Sequence, residues 1–180
     1  TNAGTYAVTG MVNDANYQGT AVDVLTISKA DQTITNFPNP GAQLATNVVT
    51  LTAQASSGLA CAFSVVSGPG EITGSDLSFT NSGTVVVVAS QAGDSNWNAA
   101  PGVTNSLVVS KATASIAVTN TSQVYTGTPR SVGAVTDPTN LNVVFTYDGL
   151  SGAPTNAGAY AVTGTVVEAL YQGSAVDTLT

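Results

Sequence analysis

The chain of 180 residues has no histidine, a single cysteine and only three cationic side chains, Lys29, Lys111 and Arg130. Each scarcity closes a class of function. Without histidine neither a Ser-His-Asp nor a Cys-His arrangement can be assembled. Cys61 therefore lacks the imidazole base that would activate it as a nucleophile. It cannot form an intrachain disulfide either, and within "LACAFSVV" it reads as a small buried apolar residue. Three cations against ten acids give a net charge of −7. Nucleic acids are held through Lys and Arg on phosphates, so nucleic acid is not an expected partner. No apolar run approaches the roughly 18–20 residues of a spanning helix, and no membrane insertion is expected. The ten acids are scattered over turns and strands, whereas acid–base chemistry needs two held in one cleft. No catalytic, cofactor-binding or metal-ligating residue is assigned, no cofactor is implied, and the chain is not expected to be an enzyme.

Charged residues make up 7% of the chain, against about 25% in an average soluble protein. Thr, Ser, Asn and Gly supply the polarity instead, a composition that favours strands and turns over exposed helices. The strongest feature is a repeat. "TNAGTYAVTGMVNDANYQGTAVDVLT" from Thr1 returns as "TNAGAYAVTGTVVEALYQGSAVDTLT" from Thr155, at an offset of 154 with seven differences in 26 positions. A fainter third copy lies between them. "NDANYQGTAVDVLTISKA" ends at Ala30 and "GDSNWNAAPGVTNSLVVSKA" ends at Ala112. Each has an acid, an aromatic three residues later, an alternating strand and a closing Ser-Lys-Ala. The two Ser-Lys-Ala steps are read as joints. The expected organisation is the back half of one module in 1–29, a complete module in 30–111 and most of a third in 112–180, cut from a longer array.

The apolar period is two throughout. "VVTLTAQA" sets Val49, Leu51, Ala53 and Ala55 on one face, and "ACAFSVV" does the same with Cys61, Phe63 and Val65. "TVVVVAS" is continuous, as in a strand covered on both faces. "SGPGEITGSD" and similar Gly/Pro/Asn/Ser tracts read as turns. About seven short strands in 30–111 fit an immunoglobulin-like β-sandwich. In 112–180 "ASIAV" and "SQVYTG" read as strands; "VGAVTDPTN" and "VVFTYDGLSGAPTNAG" follow, then "YAVTGTVV" and "SAVDTLT", around a thin core, as a sandwich or a β-grasp-like unit. The fold class is all-β: tandem small β-modules, elongated, with joints too short to fold back.

Tyr125-Thr-Gly, Tyr147-Asp-Gly, Pro154-Thr-Asn-Ala-Gly-Ala-Tyr160 and Tyr171-Gln-Gly173 resemble the MBG/YDG-type repeat modules of large bacterial surface proteins. In the first segment the resemblance is confined to Thr1–Ala30. The middle segment resembles the bacterial Ig-like modules that alternate with them. The resemblance implies an extracellular or cell-surface structural segment, a stalk or filament. An adhesive or glycan-binding module and an accessory domain of a larger secreted enzyme are the alternatives. The implied partners are other copies or adjacent repeats, paired through strands of 1–29, with cell-surface glycans under the adhesive reading.

Several residues invite a sharper chemistry, each beside a plainer one. Tyr17, Trp97 and Tyr171 occupy equivalent places; they could stack a sugar, but a repeated aromatic reads as a structural corner. Asp14, Asn16, Asp94, Asn96 and Asn98 carry oxygens that calcium would accept, yet Asx turns explain them. Asp31 and Asp137 could clamp calcium near junctions, or simply close turns. Lys29 and Lys111 could form Lys–Asn isopeptides, although a solvated lysine at a joint is the plainer reading. Asn120-Thr121-Ser122 is one glycosylation sequon. Finally, 1–29 should form a hairpin, Thr5–Val12 against Thr20–Ser28, which is marginal by itself. It is expected to pack on the start of the middle module or to accept a neighbouring chain's strand.

Overall fold

A computed structural model describes residues 2–180. It is all-β, with no helix among the described residues. The chain opens with β1 (Gly4–Met11) and β2 (Thr20–Ile27), an antiparallel pair that forms a sheet of its own. Its register sets Tyr6 opposite Leu25, Val8 opposite Asp23 and Gly10 opposite Ala21.

Nine strands follow before the second joint: β3 (Ile34–Thr35), β4 (Gln43–Leu44), β5 (Val49–Thr50), β6 (Gln54–Ala55), β7 (Ala62–Ser67), β8 (Gly70–Thr73), β9 (Asp76–Phe79), β10 (Gly83–Gln91) and β11 (Ala100–Ser110). One sheet runs β4-β11-β10-β7, a second β5-β9-β8, and β3 pairs with β6. Ala45, Leu51, Leu77, Phe79, Val85, Val87, Leu107 and Val109 form the core of this segment. The two large sheets supply most of it, each burying alternate residues, as sheet packing requires.

Three expectations change here. "VVTLTAQA" has the expected burial, with Leu51 and Ala55 inside, but it is not one strand. β5 pairs with β9 and β6 with β3, so the chain changes partners between Thr50 and Gln54. Alternation reports which face is buried, not which neighbour supplies the hydrogen bonds. "SGPGEITGSD" is more than a turn: β8 hairpins onto β9, pairing Ile72 with Leu77. The apolar run of β10 is fully covered on one face only. Val85, Val87 and Ala89 are wholly buried, while Val86 and Val88 are half-buried.

The last segment holds β12 (Ala112–Thr113), β13 (Ser115–Thr119), β14 (Gly133–Asp137), β15 (Val143–Tyr147), β16 (Tyr160–Val166), β17 (Tyr171–Gln172) and β18 (Ser174–Leu179). β13 pairs with β14, β16 lies between β15 and β18, and β12 runs parallel to β17. Val132, Tyr147, Val162 and Leu179 form the core, with Val118, Phe145 and Tyr160 against it. This is the thin core its length implies. The Tyr147 hydroxyl stays inside by accepting the Val132 N–H at 3.1 Å. The strand expected at "SQVYTG" is absent. Val124 and Tyr125 are exposed, and the Gln123 side chain donates to the carbonyls of Asn120 and Ser131, both at 2.8 Å. The side-chain amide ties the loop to its neighbours, and two backbone bonds hold it to the last residue: Gln123 N–H donates to the Thr180 carbonyl and Thr180 N–H to the Thr121 carbonyl, both at 2.7 Å.

Candidate functional site at the joints

The acid-x-x-aromatic loop and the Ser-Lys-Ala step lie far apart in sequence and meet in space, twice. At the first joint, Ala30 donates its N–H to the Asn96 carbonyl at 2.9 Å, and Asn98 N–H donates to the Ala30 carbonyl at 2.8 Å. This makes a parallel bridge between Ala30 and Trp97. At the second, Ala112 N–H donates to the Leu170 carbonyl at 2.9 Å, Ala114 N–H to the Gln172 carbonyl at 2.8 Å, and Ala112 lies opposite Tyr171. The lysine preceding each alanine finishes the contact. Lys29 Nζ donates to the Asp94 carbonyl, Lys111 Nζ to the Glu168 carbonyl, both at 2.6 Å. Each lysine meets a backbone carbonyl, not an Asn side chain.

The loops are held ready by their own acids. Asp94 Oδ1 accepts the N–H groups of Asn96 at 2.8 Å and Trp97 at 2.9 Å. Such an Asx turn fixes the backbone that faces the joint. Glu168 Oε1 accepts the Asn142 N–H at 2.9 Å, which ties the second loop to the strand ahead of it. Asp31 Oδ1 accepts from Asn98 Nδ2 at 2.8 Å. Of the carboxylates read as calcium candidates, Asp14, Asp31 and Asp94 thus accept backbone or amide donors. Among the described residues no three of His, Cys, Asp and Glu gather as a metal cluster would.

Behind the first joint lies a buried polar group that sequence reasoning missed. Gln32, in "KADQT", is 3% exposed. Its Nε2 donates to Gln91 Oε1 and to the Asn98 carbonyl, both at 2.6 Å, and its Oε1 accepts from the Ser57 hydroxyl. Gln91 Oε1 also accepts the Gly93 N–H. A buried amide is tolerated because each polar atom is matched. Nothing in "KADQT" separates it from a surface glutamine.

Each loop also touches the segment before it. Asn96 Oδ1 accepts the Ala3 N–H at 2.8 Å, and Asn96 Nδ2 lies 3.3 Å from Asn2 Oδ1. Leu170, at the same place in the other loop, packs on the middle core. The start of the hairpin therefore contacts the middle segment at Asn96, in the loop between β10 and β11, and these bonds are not to the start of that segment, where packing was expected. The aromatics part company: Trp97 and Tyr171 are half-buried, but Tyr17 is 75% exposed. The corner reading fails at Tyr17, because no described residue covers its loop as Ala30 and Ala112 cover the other two. Cys61 is half-buried. Asp137 ends β14. Asn120 sits exposed at φ 60° with Nδ2 3.4 Å from the Ser131 carbonyl.

The MBG domain family model matches residues 1–31 and 114–180, more than half of the chain. No curated protein matches it. Among solved structures, Drosophila N-cadherin EC1-3 is similar with a TM-score of 0.36 and 14% identity, over 97% of this chain and 76% of that one. Mouse protocadherin-24 EC1-3 gives 0.34 and 13%, over 97% and 78%. The chain belongs to the MBG domain family.

Proposed function

We propose that this chain is a structural repeat segment of an extracellular, bacterial surface stalk or filament, built from units 1–29, 30–111 and 112–180. The observation that carries this is the duplicated joint. The same lysine-alanine step meets the same acid-x-x-aromatic loop at 30 and at 112. Backbone bonds seat the alanine that opens each unit on that unit's own loop, and the lysine before it, the last residue of the preceding unit, donates across the boundary to the same loop. The joint's role is mechanical: it restrains the angle between units where a Gly/Ser linker would leave it free. The segment thus acts as a spacer that holds its ends apart, and strand pairing through 1–29 extends the array.

Small-angle scattering and a glycan array test this together. The expected result is a rod-like scattering profile and no saturable glycan binding. A near-spherical particle overturns the stalk. Glycan binding that disappears in Trp97→Ala replaces it with an adhesive module.

A further inference from the structure

The two hairpins related by the offset of 154 are built alike, yet only one is covered. Val162, Val166 and Leu179 are 0%, 6% and 3% exposed; their equivalents Val8, Val12 and Leu25 are 47%, 54% and 50% exposed. The outer face shows no such difference, since Val176 and Val22 are 74% and 71% exposed. The discrepancy is thus confined to the inner face and to one edge. In the last segment β16 carries β18 on one side and β15 on the other, with Tyr147 opposite Val162, Phe145 opposite Gly164 and Val143 opposite Val166. β1 carries β2 in the matching register, and its other edge pairs with no strand among the described residues.

Two glycines carry the same message independently of exposure. A Cβ on Gly164 would meet the Phe145 ring at 3.0 Å, and one on Gly173 would meet the Ala114 carbonyl oxygen at 2.3 Å. These glycines admit an aromatic ring and a strand backbone. Their equivalents are Gly10, whose Cβ would meet nothing within 4 Å, and Gly19, whose Cβ would meet only Val12 Cγ2, at 3.4 Å. Neither needs to be glycine for anything in this chain. The loop is prepared as well: Asp14 Oδ1 accepts the Asn16 N–H at 2.7 Å, as Asp94 does for Asn96.

We propose that the inner face and free edge of the β1–β2 hairpin form an acceptor for a strand segment of the 112–154 type, supplied in line by the repeat ahead of Thr1 in a longer chain. This rests on the repeat-array reading above. The occupant is defined by chemistry. It brings an alanine-led strand to Tyr17 and Gly19, as Ala112–Ala114 come to Tyr171 and Gly173. It lays an aromatic over Gly10 and a buried tyrosine beside Val8. An unpaired apolar edge is otherwise a template for indiscriminate pairing, and the glycine pattern selects the aromatic-bearing strand among possible occupants.

The test compares the 180-residue chain with the same chain extended at its N-terminus by a copy of residues 112–154, and with a scrambled extension of equal length. Amide exchange of Ala7–Met11 should slow by at least about 100-fold with the native-order extension, the scale separating frayed edges from covered strands. Gly10→Val should abolish that gain in the extended chain and leave the unextended chain unchanged, which separates loss of docking from loss of folding. Equal exchange with native and scrambled extensions overturns the proposal. So does protection that arises in the unextended chain as its concentration rises, because the occupant is then a second copy. The scattering profile stands apart from these outcomes: a rod without docking sinks this inference alone, and a compact particle sinks the array itself.

Discussion

The hairpins at 4–27 and 160–179 share most of their residues and, where both are compared, the same local bonds. Tyr6 donates to the Asn2 carbonyl and Tyr160 to that of Asn156. Val12 N–H donates to Gly19 and Val166 N–H to Gly173, both at 2.9 Å. Asp23 and Asp177 each accept the next residue's N–H at 2.8 Å. What differs is the company each keeps, so the same valines are surface in one place and core in the other. Local sequence writes the hairpin, its register and its turn; burial belongs to residues more than ten positions away.

The sharpest break of this comparison is a paired truncation. Leu179→Ala should lower the local stability of β16 and β18 by about 2–5 kcal/mol, the usual range for a buried leucine. Leu25→Ala should cost under about 0.5 kcal/mol, as at surface positions. Hydrogen exchange on both hairpins reads the two in one chain, and equal losses would mean that both inner faces are covered.

Glycines give the next contrast. Gly173→Ala drives a Cβ toward the Ala114 carbonyl and should destabilise the last segment by about 1–3 kcal/mol, as overpacking does. Gly19→Ala should stay within about 0.5 kcal/mol. Urea unfolding followed by exchange at Ala112–Ala114 measures it.

The lysines are smaller. Lys111 is half-buried, and Lys111→Met should cost about 1–2 kcal/mol by leaving the Glu168 carbonyl without its charged donor. Lys29 is exposed, and Lys29→Met should cost about 0.5 kcal/mol or less. Tryptophan fluorescence of Trp97 reports the first joint and exchange at Tyr171 the second. The smallest effect is the control: Val22→Thr and Val176→Thr should both fall within about 0.5 kcal/mol, since both side chains face solvent.

Much of the fold was legible. Alternation found the inward residues of "VVTLTAQA" and "ACAFSVV", and the duplicated stretch placed both hairpins within a residue or two. The joints stood out as Ser-Lys-Ala because they recur. What those joints touch was not legible. Nothing in "DSNW" says that its carbonyl will receive a lysine 65 positions earlier, since backbone acceptors carry no sequence signature. Gln32 was missed for the same reason: a buried amide looks like an exposed one until its partners are known. The β8 stretch reads as a turn because glycines surround it, and the side chain that stabilises it, Ile72, packs on a core assembled elsewhere.

The sequence by itself determined that this protein is all-β, that its units repeat, and that its hairpins close with one register. These follow from period-two alternation and from turn residues, which act over a few positions. Only the tertiary structure decided which of two near-identical faces is core, why Gly164 and Gly173 are glycine, and that each lysine closes a joint onto a distant carbonyl. Burial, close approach and backbone pairing are properties of two surfaces, and one strand's sequence describes only its own.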